Sequence, residues 1–309
     1  MKIGVVVDAS CDLPRSYIDE HRLIVLPSIL EFGDKEIIDS RDPRDTLAVY
    51  RRYVADKSLE ARSRAPEVDA IRDLFLDDLV LRYDRVLVLC VSANRGSVFD
   101  KATQASYAIL QGYRQRREEA GLLEPFALRV LDTGTVGPGE AVLAAAAVRM
   151  LDEETPPFEK LRRTIKDLSR RVTCLLVPND LFYLHHRARQ RGEDSLGPMA
   201  YRIGSALGIK PILEMRCGKS QAVARTRGFE RGVDYVLQRA RSVISRGHAR
   251  PFVTMSFGGD PRRVRELAAY QEFEAFAAVN RCDLHLSVMS ATMALNIGPG
   301  AFSLAFIDD

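Results

Sequence analysis

The sequence predicts a two-domain α/β fold: an N-terminal, mostly parallel sheet flanked by helices, and a C-terminal mixed α/β domain. Three observations lead there. Short apolar, β-branched runs alternate with helical stretches through the first half, the pattern of a largely parallel sheet covered on both faces. A polar, proline-containing break, Asp152-Glu153-Glu154-Thr155-Pro156-Pro157, then interrupts the chain. Beyond it, two strand-like runs lie close together around a glycine, which reads as an antiparallel hairpin. The expected domains are residues 1–156 and 157–309, with a ligand site at their junction.

Ile3–Val7 is uncharged and mostly β-branched, as expected of a strand buried on both faces, and runs directly into Asp8-Ala9-Ser10-Cys11-Asp12-Leu13-Pro14. Pro14 sits where a first helical turn tolerates proline, so the unit is strand, loop, helix. Ligands of open α/β sheets gather at the carboxyl ends of strands, which marks this loop as a place to look for a site. Further strands are expected at Leu23–Phe32, Val86–Val91 and Phe126–Leu131. Helices are expected near Pro14–His21, Pro43–Tyr53, Pro66–Leu81, Ser97–Glu118 and Gly137–Leu151. In the second half a helix near Phe158–Ser169 precedes strands at Thr173–Val177, Lys210–Leu213, Gln221–Arg225, Phe252–Phe257, Asp283–Ser287 and Phe302–Ile307. Glu214 to Ser220 connects the hairpin, and helices are expected near Gly228–Ser245 and Arg262–Val279.

Composition narrows the function classes. With 45 basic and 42 acidic residues, net charge is +3, which gives no general electrostatic case for nucleic acid or an anionic membrane. The five cysteines (Cys11, Cys90, Cys174, Cys217, Cys282) are scattered and form no CxxC pair. Neither a zinc site nor a disulfide framework is suggested, and reduced thiols in a cytoplasmic, soluble protein fit best. Met1-Lys2 enters a strand directly, and no apolar run reaches bilayer-spanning length.

Several segments carry candidate chemistry. Gly96-Ser97 follows an apolar strand and opens a long helix, so its backbone N–H groups and hydroxyl suit an anion, or simply cap the helix. Asp132 to Gly139 is glycine-rich but lacks the spacing of a P-loop; a turn allowing close helix packing is at least as good a reading. Asn296-Ile297-Gly298-Pro299-Gly300 makes a rigid turn before the last strand. GxSxG and HExxH are both absent, and adjacent His185 and His186 point in different directions on a helix. Residue patterns alone thus stop at an α/β protein whose strand-end loops bind a small anionic ligand.

In series, these loops resemble the DegV family of bacterial fatty-acid-binding proteins. Asp8 and Asp12-Leu13-Pro14 match the family's Asp-Ser-Thr-Ala-Asp-Leu-Pro opening in frame. Leu26-Pro27 with Phe32-Gly33-Asp34 and Asp39, Val130-Leu131-Asp132-Thr133 with Val136 and Gly139, and Gly298-Pro299-Gly300-Ala301-Phe302 are similar to its later segments. Gly204-Ser205-Ala206-Leu207-Gly208-Ile209-Lys210-Pro211-Ile212-Leu213 is the nearest run. The resemblance implies a long-chain fatty acid in a buried apolar tunnel, its carboxylate held by hydroxyls and backbone amides. It also implies a non-catalytic carrier that presents the acid to a fatty acid kinase, with no cofactor beyond the bound lipid. A palmitoyl-length chain, with about 14 methylenes at ~0.8 kcal/mol each, gains about 11 kcal/mol gross on burial.

Carried over position by position, the ligand-binding residues implied are Arg62, Ser63, Ser92, Asn94, Gly96, Ser97, Arg189 and Asn296. The chain departs from the family pattern here. Arg62-Ser63-Arg64-Ala65-Pro66 stands for Thr-Ser-Gln-Pro-Ser, and Ser92-Ala93-Asn94-Arg95-Gly96-Ser97-Val98 for Ser-Ser-Gly-Leu-Ser-Gly-Thr. Asn296 replaces the histidine expected to face an acyl phosphate; it donates a hydrogen bond without carrying charge. Arg62, Arg64 and Arg95 add cationic forks. Two other readings stay open: a metal-dependent phosphate-transfer or hydrolytic enzyme using Asp8, Asp12 and Asp132, and a lipid-sensing regulatory module without kinase coupling.

Overall fold

The computed structural model describes residues 1–190, 207–246 and 251–308, apart from the side chains of 187–190. Three sheets organise it. The first is four-stranded and parallel, in the order β2-β1-β6-β7: β1 (Ile3–Asp8), β2 (Ile24–Leu26), β6 (Arg85–Cys90) and β7 (Ala127–Asp132). The second is a small antiparallel sheet in which β3 (Ser28–Phe32) lies between β4 (Lys35–Asp39) and β5 (Ala61–Arg64). The third is mixed and six-stranded, β10-β9-β8-β13-β11-β12. Its members are β8 (Val172–Val177), β9 (Ile209–Arg216), β10 (Lys219–Arg227), β11 (Phe252–Phe257), β12 (Asp283–Val288) and β13 (Phe302–Ile307).

The mixed α/β architecture with a parallel first sheet and a mixed last one is as expected. Several elements differ from their sequence reading. Leu23–Phe32 is two strands, because Pro27 lacks the N–H a continuous ladder needs, and the halves enter different sheets. The short polar strands β4 and β5 carry too little apolar alternation to be visible in sequence; pairing with β3 forms them. The helix expected over Ser97–Glu118 is interrupted at Gly112, and the one over Arg262–Val279 breaks at Leu267, whose backbone is extended (ψ 129°). The β9–β10 hairpin is longer than expected, so Cys217-Gly218 alone forms its turn, both with positive φ. A helix at Ala291–Ile297, capped by the Ser290 hydroxyl accepting from Met293 N–H at 3.1 Å, replaces the loop expected before Gly298.

Helix Pro138–Glu153 joins the sheets. Its Ala141–Val148 stretch is entirely buried, and the same core takes in side chains of the first sheet, this helix and helix Ala291–Ile297. Its start lies close to the preceding loop: a Cβ on Gly139 would fall 1.9 Å from Thr135 Oγ1, so glycine is required by the approach. The glycine-rich Asp132–Gly139 segment therefore serves helix packing.

The Asp8–Pro14 loop sits at the junction of the sheets. Asp12, 0% exposed, accepts from Ser256 Oγ of β11 at 2.6 Å and from Ser290 N–H at 2.8 Å, and its carbonyl accepts from Ser287 Oγ at 2.7 Å. Arg41, also buried, brings a guanidinium nitrogen within 3.5 Å of Asp12 Oδ1. Burial raises the Asp12 pKa, while Arg41 and the hydroxyl donors oppose the shift. Removing one partner of a buried pair leaves the other charge uncompensated. Asp12→Ala is therefore expected to lower unfolding free energy by about 3–5 kcal/mol in urea denaturation; a change within experimental error would contradict this stitching role.

Candidate functional site

A cavity of about 820 Å³ opens where the first loop, the small sheet, the Ser92–Ser97 loop, helix Ala291–Ile297 and the β9–β10 hairpin meet. Leu176, Leu184, Leu213, Met215, Met293 and Ile297 furnish much of its apolar wall. Its polar lining includes Asp8, Ser10, Ser28, Ser63, Arg64, Arg95, Ser97, Thr292 and Asn296. The size lies within the range for a small-molecule site, and the mixed lining suits an amphiphile.

Four residues singled out from sequence line the cavity: Ser63, Gly96, Ser97 and Asn296. Strand pairing sets Ser63 opposite Leu30, whereas Arg62 turns away and pairs with Glu60 at the surface. Gly96 and Ser97 precede the helix Val98–Ala108; Ser97 makes no side-chain cap, leaving its hydroxyl exposed at the cavity. Asn296 donates from Nδ2 to the Thr292 carbonyl at 2.8 Å, holding its amide along its own helix. Ser92 is buried outside the lining, and Asn94 donates to the Gly218 carbonyl at 3.4 Å, fastening the hairpin tip. The Arg189 side chain lies outside the described residues.

The remaining lining residues had weaker sequence signals. Arg64 faces the cavity edge while its guanidinium is drawn to Glu31 (2.6 Å), Glu36 (2.9 Å) and Glu67 (3.6 Å). Ser28 pairs with Asp39 across β3 and β4. That aspartate accepts from both the backbone N–H (3.0 Å) and Oγ1 (2.9 Å) of Thr292. Ser290, a capping residue before Ala-Thr-Met-Ala-Leu, was the available signal for this helix.

Below the polar end lies a buried acid pair. Asp8 accepts from Val91 N–H at 2.6 Å and Ser10 N–H at 2.7 Å. Glu140 accepts from Asp8 N–H and Ser10 Oγ, both at 3.0 Å. Burial, reinforced by the Asp8 charge, pushes the Glu140 carboxyl well above the usual range; burial also raises Asp8, against the pull of its N–H donors. Of the two, Glu140 is pushed the more strongly towards its protonated form. Glu140 could have been noticed as the lone charge at the head of an otherwise uncharged helical run, Ala141–Val148.

Asp8 and Asp12 are thus scaffolding, each engaged by donors on neighbouring elements. Among the described residues, no group of three or more His, Cys, Asp or Glu side chains is placed to hold a metal ion. No helix among them is long and apolar enough to cross a membrane.

These features define an α/β protein with an amphiphile-sized cavity between its sheets. Residues 2–309 match the family described as uncharacterised protein, DegV family, and the chain belongs to that family. A DegV domain-containing protein of Xanthomonas campestris pv. campestris is 38% identical over 306 residues, covering 99% of this chain and 97% of that protein. A protein of Thermotoga maritima named fatty acid-binding protein is 19% identical, covering 97% of this chain and 96% of its own length. Among solved structures, a stearic-acid-binding protein of Eubacterium ventriosum superposes with TM-score 0.80 at 21% identity, covering 99% of this chain and 98% of that one. A DegV lipid-binding protein of Thermotoga maritima gives 0.78 at 17% identity, with the same coverage. These likenesses establish the DegV fold.

The acid pair predicts a sign for pH dependence. Because Glu140 titrates higher when folded, the native state keeps a proton that the unfolded chain releases above the ordinary carboxylate range, so this group's contribution falls as pH rises. Glu140→Gln preserves the hydrogen bonds of a protonated acid and removes the titration. Its melting temperature should decline less than the parent protein's between about pH 5 and about pH 8 in thermal denaturation. Identical pH profiles would show that Glu140 does not hold the proton.

Proposed function

We propose that this protein binds a long-chain fatty acid, with the tail against the apolar wall and the carboxylate at the Ser63, Gly96 and Ser97 side. One observation carries the reading: a cavity of about 820 Å³ is lined both by exposed serines and by leucine, isoleucine and methionine. Charge supports the direction. The buried Asp8 and Glu140 carboxyls, Asp8 being in the lining, make a poor neighbourhood for a second carboxylate. The serine side offers hydroxyls and the start of a helix. Fatty-acid binding by the named relatives supports the same ligand class.

On this reading the protein is a binding subunit and not a catalyst, acting in the cytoplasm between an N-terminal domain ending near residue 156 and a C-terminal one. Its partner is a fatty acid kinase that phosphorylates the presented acid. Asn296 in place of a histidine makes the head-group contact uncharged at every pH. Of the three arginines expected near the head group, Arg95 and Arg64 line the cavity, Arg64 with its charge already met by glutamates, and Arg95 is a cationic side chain offered to an anionic ligand or product.

Calorimetric titration with a series of saturated acids tests the tail assignment. Each added methylene that is buried contributes ~0.8 kcal/mol, so affinity should rise about fourfold per carbon until the tunnel is filled. Ser97→Ala should weaken binding about fivefold without altering that slope, the effect of one lost hydrogen bond. Affinity independent of chain length would remove the apolar tunnel as the binding element.

A further inference from the structure

Resting on the fatty-acid reading, we infer that the preferred occupant is a fatty acid with a hydroxyl near its carboxyl group, and that Thr292 is the residue selecting it. The hydrogen-bond polarity of the cavity wall gives the reason. Thr292 Oγ1 donates its hydrogen to Asp39 Oδ2 at 2.9 Å, and the backbone N–H of Thr292 donates to the same oxygen at 3.0 Å. A carboxylate accepts only, so this bond commits the hydroxyl proton to Asp39 and leaves only oxygen lone pairs on a residue of the cavity lining.

Ser10, also in the lining, has its Oγ 3.0 Å from Glu140 Oε2. Asp8 beside it is an acceptor, like the Thr292 oxygen. The Ser63 and Ser97 hydroxyls, in the same lining, can donate. The polar lining therefore has a donating side in these serines and an accepting side in Thr292 and Asp8.

A plain carboxylate has acceptors only and satisfies the donating side alone. To meet the accepting side it would have to keep its proton, at a cost set by the gap between its pKa and the surrounding pH. A hydroxyl a few carbons from the carboxylate supplies the missing donor without that cost. Leaving buried acceptors unmatched is the kind of deficit that separates ligands differing by one hydroxyl.

Competition against a fluorescent fatty acid at neutral pH reads this directly, using palmitate, 2-hydroxypalmitate and 3-hydroxypalmitate. At least one hydroxy acid should bind about fivefold or more tightly than palmitate. Thr292→Val should bring that ratio towards unity, and Thr292→Ser, which keeps the hydroxyl and its bond to Asp39, should retain it. Palmitate binding as tightly as both hydroxy acids in the parent protein would overturn the inference while leaving fatty-acid binding intact. A ratio unchanged in Thr292→Val would overturn the assignment to that residue. Failure of all three acids to displace the probe would overturn both this inference and the function on which it rests.

Discussion

A carboxylate taken out of water must be met by hydrogen bonds or an opposite charge, and Asp12 meets that demand with several distant segments. Ser256 comes from β11, Ser290 from the start of a short helix, and Arg41 from the turn after β4. Tyr50 adds a hydroxyl donated to the Met289 carbonyl. The loop after β1 is consequently tied to the third sheet and to helix Ala291–Ile297. Because that helix carries Thr292, Met293, Asn296 and Ile297 into the cavity wall, the buried carboxylate fixes the position of the site it never enters.

The cavity inherits its polarity from the same arrangement. Helix Ala291–Ile297 is fixed by acceptors, Asp12 at its cap and Asp39 at Thr292, so its first turn has its donors engaged. The Ser92–Ser97 loop, which also contributes to the lining, follows β6, where a parallel strand ends and a helix begins. Such strand ends expose backbone N–H groups. Donors, acceptors and aliphatic side chains thereby line one cavity. Such a mixed lining can hold an amphiphile without a dedicated ion pair.

Much of this was legible in the sequence, for identifiable reasons. Ile3–Val7 reads as a strand because burial on both faces removes polar residues altogether. Ser63, Gly96, Ser97 and Asn296 were reachable because they fall in short polar segments next to apolar elements. Arg62 beside Ser63 was not separable by composition; strand alternation sends the two side chains in opposite directions. β4 and β5 were invisible because their stability comes from pairing with β3 and not from local propensity. The selecting role of Thr292 was equally hidden, since it depends on an aspartate 253 residues away in sequence.

The central claim is that the space between the sheets is built for one acyl chain bound tail inward. Native mass spectrometry of the protein as purified from cells, followed by solvent extraction and identification of what is released, tests it most directly. A stoichiometric long-chain acid, displaced by added fatty acid but not by a short-chain homologue, is the predicted result. Protein that carries no acyl ligand, and that takes up none when fatty acid is added, would contradict it.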